Sequence, residues 1–127
     1  MLSFSVEFKP GLPLAEQVVF AVKKAVVGGQ LRPGDKFPSV RQISQELRIN
    51  PNTAHKIVAT LVAERVLITT PAVGTIVAEA TTGRREEKAE LLGADLERLV
   101  VEAKKLGLSL DDIKTGLTAH WRRLDHK

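Results

Sequence analysis

Asn52, Thr53, His55 and Lys56 crowd four hydrogen-bonding side chains into one short stretch, and Ser39 and Arg41 stand just upstream of it. The chemistry open to this set is recognition rather than bond breaking. Asn can pair bidentately with adenine, Thr can donate to a base or touch a thymine methyl, and Lys or Arg reaches guanine or phosphate. Covalent catalysis would instead need an activated nucleophile within reach of a base. The chain has no cysteine, and no Ser–His–Asp set, paired-carboxylate site or phosphate-cradling glycine loop stands out. His120 and His126 are too far apart along the chain to ligate a metal from one helical face, and pairing His120 with Asp111 or Asp125 defines no better site. No enzymatic activity, cofactor or metal is expected.

These side chains must be carried by particular elements. Leu14, Val18, Ala21, Val22 and Ala25 recur at spacings of three and four, so a first helix is expected from Pro13 to Gly28-Gly29. A turn-rich connector, Leu31-Arg32-Pro33-Gly34-Asp35-Lys36-Phe37-Pro38, follows. Ser39 then caps a second helix and has Gln42 three residues on, the pattern of a capping box. Val40, Ile43 and Leu47 are its apolar face, and Arg41 points away from them. Asn50-Pro51 opens a third helix, with Asn50 as cap and Pro51 in the first turn. Ala54, Ile57, Val58 and Leu61 line its buried side, and Asn52, Thr53, His55 and Lys56 fall in its first turns away from them.

Beyond Glu64 the apolar period changes to two. Val66 to Thr70 and Thr75 to Ala78 read as strands around the turn Pro71-Ala72-Val73-Gly74, which makes a hairpin. Phe4, Val6 and Phe8 also alternate, as in a short strand or an extended arm ended by Pro10-Gly11. The fold class is thus mainly α with a small β-hairpin, a winged helix-turn-helix over residues 1–80. A two-helix tail occupies residues 81–127, after the polar hinge Thr81-Thr82-Gly83. Its first helix, Arg84 to Leu106, carries Leu92, Leu96, Leu99, Ala103 and Leu106 at heptad spacing. Its second is capped by Ser109 and has Leu110, Ile113, Leu117, Trp121 and Leu124 as its apolar stripe.

Composition sets the outer bounds. With 27% charged and 43% apolar residues, the chain is a globular protein rather than a disordered one. No apolar run has the length of a membrane span, and Met1 to Lys9 does not read as a signal peptide. The lack of cysteine suits a reducing cytoplasm. The formal net charge is +4. Most of that excess falls in the first 80 residues, the part expected to meet an anionic partner.

The strings Pro13-Leu14-Ala15-Glu16-Gln17-Val18, Leu31-Arg32-Pro33-Gly34-Asp35-Lys36-Phe37-Pro38-Ser39-Val40-Arg41 and Asn50-Pro51-Asn52-Thr53 resemble the GntR family of bacterial transcription regulators. The likeness spans about residues 10 to 78. It implies operator contacts by Ser39, Arg41, Asn52, Thr53, His55 and Lys56, and a wing whose Gly74 touches the minor groove. The sequence departs from the family pattern where Arg48 and Val66 replace glycines and where His55 stands in place of a common arginine. Arg48 is either an added phosphate contact or an ordinary surface charge. The wing tip, Thr70-Pro71-Ala72-Val73, carries no charge, so the major-groove helices are expected to bear more of the recognition.

The 45 residues after Thr82 are too few for an effector-sensing domain of the kind other branches carry, and they resemble the tail of the short YtrA-like branch. The seam of Leu92, Leu96, Leu99, Ala103, Leu106, Leu110, Ile113, Leu117 and Trp121 would be uncovered in a lone copy. A homodimer covers it and suits a pseudo-palindromic operator in double-stranded DNA; the alternative is that both helices fold back on their own winged helix. The leading expectation is a homodimeric, sequence-specific repressor. Control of a nearby transport operon is implied by resemblance alone, and no small-molecule effector is indicated. The competing class is a winged-helix protein-interaction module that does not read DNA. If Arg41 reads a base, Arg41→Ala is expected to weaken operator binding by about 1–3 kcal/mol while sparing random DNA; titrations on both duplexes check this, and an equal loss on the two makes Arg41 a phosphate contact.

Overall fold

The computed structural model describes residues 2, 4–79 and 83–125. The chain divides near residue 80 into two compact units. Thr81, Thr82 and His126, named above, lie outside the described residues.

The first unit is built on three helices: α1 (Leu14–Val27), α2 (Val40–Leu47) and α3 (Pro51–Ala63). Val18, Val22, Ile43, Ile57 and Leu61, with Leu67 and Val77 of the hairpin, are its largest fully buried side chains. Each start and stop has a local cause. Ser39 Oγ accepts the Gln42 N–H at 3.1 Å, which fixes the first turn of α2. The reciprocal half of the expected capping box does not form, because the Gln42 amide donates instead to Glu46 at 3.1 Å. Asn50 Oδ1 accepts the Asn52 N–H at 2.7 Å and opens α3, with Pro51 in its first turn.

Helices α2 and α3 both end on arginine in the left-handed region. Arg48 has φ 55° and Arg65 has φ 63°. In each case the next residue folds back on the helix: Ile49 N–H reaches Ser44 O at 3.0 Å, and Val66 N–H reaches Leu61 O at 2.9 Å. That closure normally recruits glycine, since a Cβ there crowds the following carbonyl. The resemblance placed the second missing glycine at Val66, whereas the strained conformation falls one residue earlier.

Strands β1 (Leu67–Thr70) and β2 (Gly74–Val77) pair antiparallel, with Leu67 opposite Val77, Ile68 opposite Ile76 and Thr70 opposite Gly74. The connector before α2 joins them. Lys36 bridges antiparallel to Ile76, held by Phe37 N–H to Thr75 O and Val77 N–H to Asp35 O, both 2.9 Å. The wing is therefore three segments wide. The N-terminal alternation gives an arm and no strand over residues 4–9. Phe4 stacks on Phe37 with ring centroids 5.9 Å apart, and Gln17 clasps both the N–H and the carbonyl of Lys9.

The second unit holds α4 (Arg85–Glu90), a π-helical turn (Leu91–Asp95), α5 (Leu96–Lys105) and α6 (Leu110–Leu124). The turn corrects the expected single α-helix. Leu96 N–H reaches back five residues to Leu91 O, so one extra residue is accommodated and the register slips. A slip of one residue turns Leu91 toward the face of Leu96 and Leu99, and both Leu91 and Leu92 are exposed. Gly107, at φ 78°, closes α5. At the start of α6, Ser109 and Asp112 form a complete capping box, at 2.9 and 3.0 Å. The Ser109 backbone N–H beside the Asp112 carboxyl holds it below the usual carboxylate range.

Arg48→Gly is expected to raise the stability of the first unit by about 0.5–1 kcal/mol, since relief of left-handed strain exceeds the added chain entropy of glycine. Urea unfolding followed by circular dichroism checks this.

Candidate nucleic-acid interface

The geometry of α3 follows from its division into two faces. Ala54, Ile57 and Leu61 are each 0% exposed and face the other elements of the first unit. The helical period then drives Asn52, His55 and Lys56 to the opposite face, where all three are exposed. Thr53 is half-buried on the flank, so it is less available than its neighbours. Lys56 leans toward α1: it lines a groove with Pro13, Glu16, Phe20, Lys23 and Glu64. Its carbonyl accepts the Thr60 hydroxyl at 2.9 Å. A 2.6 Å ion pair from Lys23 to Glu64 ties α1 to the end of α3 along the same groove.

Ser39 and Arg41 sit in the first turn of α2, both exposed, while Ile43 in the same helix is fully buried and fixes its rotation. Arg41 is thus held outward at the helix start. Arg48 is exposed as well, at the left-handed end of α2. Asn50 Oδ1 takes the Asn52 N–H, so that donor is not free for a phosphate. Gly74 opens β2 at φ 93°, with nothing within 4 Å of where a Cβ would stand. The Thr70 hydroxyl donates to its carbonyl at 3.0 Å and pins the wing turn.

Taken together, α2 and α3 present Ser39, Arg41, Asn52, His55 and Lys56 as exposed donors and acceptors on a buried scaffold. The arrangement can hydrogen-bond base edges and neutralise phosphates. Nothing in it activates a nucleophile. Among the described residues no group of His, Asp or Glu is arranged to hold a metal ion, and the His120 ring nitrogen is engaged by Arg123 of its own helix. No helix among them is long and apolar enough to cross a membrane. Sequence reasoning missed Lys36: its pairing to the wing is non-local and has no signature in the Pro-Gly turn that precedes it.

Residues 14–77 match the model of the bacterial regulatory proteins of the gntR family. The chain is 32% identical to the HTH-type transcriptional repressor YtrA of Bacillus subtilis, over 80% of this chain and 78% of that protein. A transcriptional antiterminator from Listeria monocytogenes has a similar structure, with a TM-score of 0.86 at 28% identity, covering 98% of this chain and 93% of its own. A GntR family transcriptional regulator from the same organism aligns with a TM-score of 0.63 at 26% identity, over 88% and 98% of the two chains.

Asn50 and Asn52 should separate cleanly. Asn50→Ala is expected to cost about 1 kcal/mol of stability through the lost cap, whereas Asn52→Ala should change stability by less than about 0.5 kcal/mol and instead weaken DNA binding. Thermal melts alongside binding titrations read both effects.

Proposed function

Because the chain belongs to the GntR family of DNA-binding transcription regulators, we propose that it works as a homodimeric, sequence-specific repressor in the cytoplasm. The observation that carries this is the division of α3. A core of Ala54, Ile57 and Leu61 turns Asn52, His55 and Lys56 outward beside Ser39 and Arg41. A helix so mounted enters the major groove, and its preceding helix lies across the backbone. Arg41 and Asn52 have the side chains for base edges, Lys56 and Ser39 for phosphate or nearby edges. That the Bacillus relative is a transcriptional repressor supports repression here. Its branch also makes a transport operon the natural target by resemblance.

The dimer rests on the second unit. Leu91, Leu99, Leu106, Leu110, Leu117 and Trp121 are all exposed, Trp121 at 75%. Apolar area of this kind costs roughly 25 cal/mol per Å² when left in water. A second copy of the same helices would cover it and would supply two α3 helices for the two halves of a pseudo-palindrome. The π turn favours adding Leu91 to that seam beside Leu92, both of them exposed.

Full-length protein is expected to shift the DNA upstream of its own reading frame in a gel-shift assay, as a specific, salt-sensitive complex; absence of any such complex would overturn the proposal. In light scattering it should run as a dimer, and Leu99→Glu should convert it to a monomer with specific binding lowered at least tenfold.

A further inference from the structure

We infer that Lys36, in the connector before α2, supplies the DNA-phosphate contact that the neutral wing hairpin lacks. This rests on the DNA-binding reading above.

From Val66 to Ala78 the hairpin contains no charged side chain. A wing beside DNA lies in a strongly negative field, and that field draws cations. A hairpin without one forgoes the contact unless a neighbour provides it. The bridge from Lys36 to Ile76 puts a lysine on the edge of this sheet.

The register decides which way it points. Residues directly opposite one another across antiparallel strands share a face. Lys36, Ile76 and Ile68 therefore stand in a row on one side of the three segments. The other side carries Phe37, Val77 and Leu67, which are 6%, 1% and 2% exposed and belong to the core. The Lys36 row is the outward one, and both Lys36 and Ile68 are exposed. The two isoleucines give the methylene stem an apolar bed and leave its ammonium free to project.

The charge is not already spent. Among the described residues Lys36 has no ion-pair partner. Its acidic neighbour Asp35 turns away, accepting the Arg32 N–H at 2.9 Å to close the Pro-Gly turn. The placement along the chain also fits. Lys36 lies three residues before Ser39, at most about 10 Å of extended chain, so one segment runs from the wing to the capped start of α2. A duplex seated on Ser39 and Arg41 passes next to the Lys36 edge. A lysine meeting phosphate there adds affinity and register but no base preference.

The test uses the full-length protein and two fluorescent duplexes, the DNA upstream of its own reading frame and a 30-bp random sequence, titrated across a salt series. Lys36→Met keeps the stem and removes the charge. The bridge is made by backbone atoms, so its melting temperature should match wild type. The expected result is equal weakening on both duplexes, with the log–log salt slope reduced by about 0.9 for each protomer bound. Lys36→Arg should restore the slope. So should Ile68→Lys in the Lys36→Met background, because position 68 lies in the same outward row. An unchanged slope for Lys36→Met beside a steep wild-type slope overturns this inference alone. A loss confined to one duplex makes Lys36 a base reader and also overturns it. A wild-type protein with no salt-dependent binding to either duplex overturns the DNA-binding reading beneath it.

Discussion

The buried face of α3 is the constraint on which the rest of the first unit depends. Ala54, Ile57 and Leu61 are wholly excluded from solvent, and they are reached from different sides by α1, α2 and β1. Burying a leucine or isoleucine is worth about 1.5–3 kcal/mol. These residues do more than hold the helix in place. Because the helical period is fixed, committing one face to the core commits Asn52, His55 and Lys56 to the opposite face without any contact among themselves. The exposure of these three side chains is thus a by-product of packing. A change that rotated the core contacts would turn Asn52, His55 and Lys56 off this exposed face even with every one of them intact.

Much of this was readable from local signals. Ser39, Asn50 and Ser109 each cap a helix through a hydrogen bond two or three residues away, so the information lies within a short window. The apolar spacings of α1, α2, α3 and α6 are equally local, as is the Gly74 turn. Two features were not legible, and a third was left open. The Gln42 side chain had two competing partners, and Glu46 one turn along won over the cap. The N-terminal alternation fitted a strand or an extended arm, and only a neighbour to pair with would have made it a strand. Here Phe4 finds an aromatic ring and Gln17 takes the backbone of Lys9. The pairing of Lys36 with Ile76 joins segments on either side of α2 and α3, and no pattern within a window reports it.

The π turn at Leu91–Asp95 belongs to the same class of hidden feature. A heptad reading presumes uniform α-helical winding, and Leu92 satisfies it on paper. One i to i+5 bond shifts everything N-terminal to it around the axis, and Leu91 moves into the row set by Leu96 and Leu99. The sequence accommodates this because a leucine stands at both positions. Gly93, inside the turn, has open space where a Cβ would be, so steric demand does not dictate its presence. Consecutive leucines make the apolar seam tolerant of a register slip that would otherwise place a polar residue in it.

The unusual chemistry of the wing and the unusual turns of the helices share a logic. At Arg48 and Arg65 a cation occupies a left-handed position that glycine fills at lower cost. At the hairpin tip, where a cation would be conformationally easy, there is none. Charge has therefore been placed at the rim of the first unit, at Arg41, Arg48, Lys36 and Lys56, and withheld from the tip. A charged tip reaches into a groove and orders a flexible loop when it binds. Charges carried on helices and on a sheet edge stand on backbone already ordered by hydrogen bonds, so contact has only their side chains to order. On the proposed reading the same division would separate positioning from reading, with the rim cations toward phosphates and Asn52 toward the bases.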